Sequence, residues 1–332
     1  MTVPTTLALD VVATRGSFVE SRHRVHGAVV DVSGQVLAQA GNPDFVTFWR
    51  SCAKPFQVAP FVRAGGLERF KWGDDEAALA CGSHGGEPEH VAIAARMLAS
   101  IGLEEGDLAC GPHEPLTRRG AQMARDAGTY SRLHNNCSGK HAAMLARATM
   151  AGWPASGYQR IEHPVQREAY EEVSTWSGVA TGAIPIAVDG CGVPVFALSL
   201  RAMAFAYARF GAAAAAGENP AARIISAMTS RPFLIGGTER FDTLLIEETN
   251  GRLLAKVGAE GVHSVMIPSR GIGLAIKVED GALRAQHAAV IAALRQIGEL
   301  PGELPDRIAE FVKRPVKNTR GEVVGELRPE VW

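Results

Sequence analysis

The 332-residue sequence predicts an α+β fold: a mainly antiparallel central sheet built from both chain ends, flanked by helices, with a helical region inserted. Three observations carry this expectation. Strand-like apolar runs gather near both ends of the chain, segments with apolar residues at helical spacing fill the middle, and the repeated βα alternation of a doubly wound parallel sheet is missing. No Gly/Ser or Pro-rich linker and no internal repeat divides the chain, so residues 1–332 are expected to form a single domain. Its sheet would come from about 1–50 and 240–332, and its helices from about 51–240.

Val25–Val32, Ser33-Gly34 and Gln35–Ala40 read as a hairpin around a two-residue turn. Apolar residues three and four apart then predict helices over Pro55–Ala64, Pro88–Ile101, Thr117–Ala127, His141–Met150, Pro164–Ser177 and Leu198–Ala216. Strand signal returns at Phe241–Glu247, Leu253–Val257, Ser264–Ile267 and Gly273–Val278, and a last helix is expected over Ala282–Ile297.

The 34 Lys plus Arg nearly balance 35 Asp plus Glu, for a net charge of -1, so no global field favours nucleic acid or an anionic membrane surface. Ala197–Gly217, the longest apolar stretch, is interrupted by Arg201 and Arg209 and suits a packed helix better than a membrane span. The N-terminal Met1–Leu7 segment lacks the basic and long apolar parts of a secretory leader. Five cysteines, at 52, 81, 110, 137 and 191, are odd in number and irregularly spaced, which predicts reduced thiols and a cytoplasmic protein.

Several segments carry chemistry. In Arg50-Ser51-Cys52-Ala53-Lys54-Pro55, the proline fits only the first turn of a helix, which places Ser51 at that helix's start. Ser51 and Lys54 then project from one face, and a lysine with a lowered pKa can deprotonate a serine; an N-cap serine followed by a solvated lysine is the plainer alternative. Cys81-Gly82-Ser83-His84-Gly85-Gly86 is a glycine-rich turn that lets backbone approach a ligand around Ser83, or else a simple tight loop.

His134-Asn135-Asn136-Cys137-Ser138-Gly139-Lys140-His141 packs polar groups before an apolar helix, more than capping by Ser138 requires. Cys137 lies three and four residues before Lys140 and His141, a spacing that can aim two side chains at one metal. Asp189-Gly190-Cys191-Gly192 sets a cysteine between glycines, a poor core filler. From spacing alone, free thiols at Cys137 and Cys191 are favoured over a metal site. Finally, Lys256-Val257-Gly258 at a strand end can place an ammonium beside a serine, although an ordinary surface strand end reads the same way.

These segments, in this order, resemble the rhizobial-type (class 3) L-asparaginase family over essentially the whole chain. The most specific parts are Arg50-Ser-Cys-Ala-Lys-Pro, Cys81-Gly-Ser-His-Gly-Gly and Asn135-Asn-Cys-Ser-Gly-Lys-His. The resemblance implies a fold similar to serine β-lactamases, DD-peptidases and serine-dependent glutaminases. It implies two Ser-Lys tandems, Ser51 with Lys54 and Ser83 with Lys256, and one zinc ion per chain held by Cys137, Lys140 and Cys191 with water as the fourth ligand and Asp189 beside it. A lysine must be neutral to coordinate, so occupancy should depend on pH.

The implied reaction is hydrolysis of L-asparagine to L-aspartate and ammonia through an acyl-serine, with no nucleic acid or membrane partner and a homodimeric assembly. Ser51 with Lys54 as base is the favoured nucleophile, because a helix N-terminus steadies developing negative charge; Ser83 would relay protons or bind the oxyanion. Arg50, Asp189 and His141 are the candidate substrate contacts. The alternatives are a serine-dependent glutaminase, a penicillin-recognising hydrolase, or a non-catalytic zinc-containing binding protein.

Overall fold

A computed structural model describes residues 5–331; residues 1–4, part of the segment read for a leader, and residue 332 lie outside it. Among the described residues the strands run in chain order: β1 Val11–Arg15, β2 Phe18–His23, β3 Val25–Asp31, β4 Val36–Ala40, β5 Val46–Phe48, β6 Ile186–Val188, β7 Pro194–Ser199, β8 Leu254–Val257, β9 Val262–Ile267, β10 Ile272–Val278, β11 Arg314–Lys317 and β12 Val323–Pro329. The helices are α1 Lys54–Arg63, α2 Gly66–Phe70, α3 Asp74–Cys81, α4 Pro88–Ser100, α5 Arg118–Asp126, α6 Ser138–Ala151, α7 Pro164–Ser177, α8 Leu200–Ala215, α9 Ala221–Ser230, α10 Pro232–Ile235, α11 Phe241–Glu248, α12 Leu283–Gln296 and α13 Asp306–Ala309. This is the expected α+β arrangement, with antiparallel sheet from both chain ends and helices between them.

The strands form more than the one expected sheet. A five-stranded sheet in the order β4-β3-β10-β9-β8 and a four-stranded sheet in the order β11-β12-β1-β2 each join N-terminal to C-terminal strands, and β5-β7-β6 form a third. Successive side chains of a strand point to opposite faces. Ala28 and Val30 of β3 and Met266 of β9 therefore face one apolar core, which includes Phe56, Leu79 and Tyr207. Val29, Val265 and Ile267 face the other, built around α12. The same alternation puts Lys256 on the helical face with Leu254, opposite Ser264 of β9.

Sequence and structure differ at identifiable places. Phe241–Glu247, expected as a strand, is α11: Phe241, Leu244 and Leu245 recur at helical spacing and all enter the second core, a pattern that a short apolar run conceals. The first hairpin turns over more residues than expected, because the Asp31 carboxylate accepts from the Ser33 and Gln35 amides and Gly34 takes a φ of 86°. The expected helix over Leu198–Ala216 begins only after β7, where Ser199 accepts from the Ala202 amide at 3.2 Å. No helix is long and apolar enough to cross a membrane, among the described residues.

Candidate active site

Six separate stretches converge on one cavity of about 340 Å³, whose wall includes Arg50, Ser51, Ser83, Asn136, Cys137, Asp189, Cys191, Arg240 and Gly258. Ser51 sits in a 3-10 turn, Arg50–Ala53, that feeds α1 with Pro55 in its first turn, as the sequence predicts. The turn is fastened to the sheet: the Trp49 indole donates to Ser264 Oγ at 3.1 Å, the Cys52 thiol to the Lys256 carbonyl at 3.0 Å, and the Tyr207 hydroxyl to the Cys52 carbonyl at 2.8 Å. Arg50 adopts a φ of 54°, costly for a side chain with a Cβ and held here by the surrounding contacts.

Ser83 follows α3 in the glycine-rich turn. A Cβ at Gly82 would lie 2.4 Å from the Leu234 carbonyl oxygen, so only glycine lets the turn pass so close to α10. The turn is bound to α6 through His84: the Gly86 amide donates to Nδ1, which leaves Nε2 protonated to donate to Ser138 Oγ at 2.9 Å. Ser138 is therefore not the helix cap it resembles; Cys137 occupies that position, without a side-chain cap.

The lysines do not pair as the sequence suggested. Lys54 and Lys256, both fully buried, converge on Ser83 Oγ at 3.1 Å and 2.7 Å. The Ser51 hydroxyl has no side-chain hydrogen-bond partner among the described residues and opens into the cavity. The hydrogen-bond inventory separates the two amines. Lys54 donates to the Gly82 carbonyl, to the Asn136 carbonyl at 3.0 Å and to Ser83, three acceptors for the three N–H groups of an ammonium. Among the described residues Lys256 has only Val257 O at 3.0 Å besides Ser83, which suits a neutral amine whose lone pair accepts the Ser83 proton. Burial lowers both lysines; with Lys54 beside it, Lys256 is brought to about 8.

Next to this cluster lies the cysteine pair. Cys137 and Lys140 share the first turn of α6, and Cys191 sits in the hairpin between β6 and β7, where Lys140 Nζ donates to its sulfur at 3.2 Å. The neighbouring Cys137 side chain pulls the Cys191 thiol down to about 5, with help from Lys140, while Cys137, whose thiol donates to Asn136 Oδ1 at 3.2 Å, is pushed up to about 12. Burial disfavours the Lys140 ammonium, yet the facing sulfurs and Asp189 hold its pKa above the ordinary value. No cluster of three or more His, Cys, Asp and Glu occurs among the described residues. Two thiols and an amine nevertheless fit a zinc donor set, since both sulfurs border the cavity and Lys140 Nζ lies 3.2 Å from the Cys191 sulfur.

The candidate substrate contacts are placed unequally. Arg50 and Asp189 reach the cavity but bind each other, Nε to Oδ1 at 2.9 Å. His141 lies fully buried behind the wall, Nδ1 2.6 Å from the Tyr158 hydroxyl, and burial lowers it to about 3. Arg240, which sequence reasoning passed over, lines the cavity. Its signal was the preceding Gly236-Gly237 turn, hidden when the segment after it was read as a strand.

A family model described as L-asparaginase II matches residues 11–329. No curated protein sequence matches the chain. Among solved structures, Mglu in its native form is 15% identical with a TM-score of 0.47, covering 89% of this chain and 69% of its own. Mglu in its glutamate form is 14% identical with a TM-score of 0.46, covering 82% of this chain and 60% of its own. A β-lactamase from Mycobacterium bovis is 14% identical with a TM-score of 0.35, covering 82% of this chain and 95% of its own.

Proposed function

Because the chain belongs to the L-asparaginase II family and is an amide hydrolase on that ground, we propose that it cleaves the side-chain amide of L-asparagine through an acyl-serine. The observation that carries this reading is the convergence of two buried lysines on Ser83 at the cavity wall.

In the proposed mechanism, Ser83 Oγ attacks the amide carbon while Lys256 takes its proton. The Lys54 ammonium keeps its three hydrogen bonds and steadies negative charge on Ser83. Ser51, with an uncommitted hydroxyl, donates to the tetrahedral oxyanion; the Ser83 amide cannot, because it donates to the Ile235 carbonyl at 2.8 Å. Collapse breaks the carbon–nitrogen bond, and Lys256 returns the proton to the departing ammonia. Water then attacks the acyl-serine with Lys256 again as base, releasing L-aspartate and restoring Ser83. Asp189 Oδ2, which has no partner among the described residues, suits the substrate ammonium.

A second reading has a specific observation behind it: Ser51 is the more exposed serine, and its oxygen is free. It would then attack and Ser83 would serve the lysines. Mass spectrometry of acid-quenched enzyme decides between them, since the β-aspartyl group must appear on the peptide holding Ser83, and its appearance on Ser51 overturns the assignment. Ammonia release from asparagine and glutamine, measured side by side, tests the substrate; equal or greater release from glutamine rejects asparagine.

We include one zinc per chain in the proposal, held by Cys137, Lys140 and Cys191. When bound it would supply a positive centre that orients substrate. The residues' part would be to hold it as thiolates and a neutral amine, giving up their protons to do so. A homodimer is proposed from the family resemblance, with sedimentation as its test. The five cysteines, all buried and unpaired, support cytoplasmic placement.

A further inference from the structure

Charges along the cavity wall are nearly all accounted for. Arg50 and Asp189 neutralise one another, and Lys140 faces the Cys191 sulfur. Arg240 differs. Among the described residues no carboxylate or carbonyl accepts from its guanidinium, and the carboxylate acting on it through space, Asp242, is spent on the Val257 amide at 2.7 Å and on His263 at 3.0 Å. A partly buried guanidinium without a partner has lost hydration and gained nothing for it, so an anion entering the cavity recovers that loss.

The backbone that presents Arg240 is fixed. Glu87, fully buried, accepts from the Thr238 amide at 2.7 Å and the Thr238 hydroxyl at 2.8 Å, and Arg119 donates at 2.6 Å to the same oxygen as that hydroxyl. A Cβ at Gly237 would sit 2.6 Å from Glu87 Oε1, so the turn is packed down onto its anchor. Arg240, three residues on, is the N-cap of α11 and borders the same cavity as both serines. A fixed, unpaired, planar cation facing a nucleophile is suited to a carboxylate, which it can grip with two parallel bonds.

We propose that Arg240 binds the α-carboxylate of the amino-acid substrate and so restricts the site to side-chain amides of free α-amino acids. This rests on the amidohydrolase reading above and assigns to Arg240 the part expected of Arg50.

The test removes the carboxylate from the substrate and the cation from the protein. Wild-type enzyme, Arg240→Met and Arg240→Lys are compared on L-asparagine and on β-alaninamide, the same molecule without the carboxylate. Arg240→Met should lower kcat/KM for asparagine roughly 10- to 100-fold, mainly through KM, and leave β-alaninamide unchanged; Arg240→Lys should recover part of the loss. Equal losses on both substrates, or none on asparagine, overturn the proposal. Calorimetric titration with L-aspartate reads the same contact without turnover. Wild-type binding that weakens in Arg240→Met supports it, whereas equal affinity, or no binding to wild type, overturns it. If asparagine releases no ammonia yet aspartate binding depends on Arg240, the substrate reading fails and the carboxylate site stands.

Discussion

Two buried lysine clusters lie side by side in this protein, and their contrast shows how surroundings set the use of one side chain. At Ser83, Lys256 faces a neutral hydroxyl and a second amine, and is brought down to about 8 by burial and by Lys54. At Cys191, Lys140 is equally hidden, but a sulfur able to carry negative charge holds its pKa up. Burial works in the same direction on both; the neighbouring charge decides the outcome. One lysine is suited to accept a proton near neutrality, and the other to keep its own. Asn136 and Cys137 join the clusters, since the Asn136 carbonyl accepts from Lys54 and the next residue supplies a sulfur.

Breaking the serine cluster should have the largest effect. Ser83→Ala is expected to lower kcat by roughly 10⁴- to 10⁶-fold, as loss of a nucleophile does, with Ser51→Ala costing about 10²- to 10³-fold as loss of an oxyanion donor does. The reverse order in steady-state assays would return Ser51 to the nucleophile's place.

Lys256→Met comes next, at roughly 10²- to 10⁴-fold in kcat. Its sign with pH follows from the base being the neutral amine. Wild-type activity rises as pH climbs through about 8 and falls below it, where Lys256 is protonated. A pH profile that keeps this limb in the variant would assign it to another group.

The cysteine cluster should respond differently. Cys191→Ser is expected to abolish stoichiometric zinc, measured by elemental analysis after dialysis, and to lower Tm, with a smaller loss of kcat than Lys256→Met. Zinc-free wild type losing all turnover would give the metal a chemical role and blur the contrast between the clusters.

The smallest effect is expected at Arg50. Arg50→Gly relieves a left-handed residue worth about 1 kcal/mol or more but leaves Asp189 unpaired, so Tm should stay within about 3 °C while KM rises. An unchanged KM would separate the Arg50–Asp189 pair from substrate binding.

Much of this site was legible because its pieces are local. Pro55 announces a helix start, Gly82 a close approach, and Cys137 with Lys140 one face of a helical turn, and the structure has each of them. Lys256 at a strand end was visible for the same reason. The pairing of lysines with serines was not. Ser51 and Lys54 are near in sequence, yet Lys54 turns to Ser83, 29 residues away, because that oxygen and the Gly82 and Asn136 carbonyls together satisfy a buried ammonium. Arg240 was concealed by the misread helix at Phe241, and nothing local revealed that its guanidinium lacks a partner.

The sequence by itself determined the α+β class, the helices and turns that carry the reactive groups, and the family, because periodicity, proline, glycine and short motifs act over a few residues. Only the tertiary structure decided that both lysines meet one serine, that Arg50 is spent on Asp189, and that Arg240 is left free. Those outcomes depend on burial and on which charges become neighbours, and both are set by strands and loops far apart in the chain.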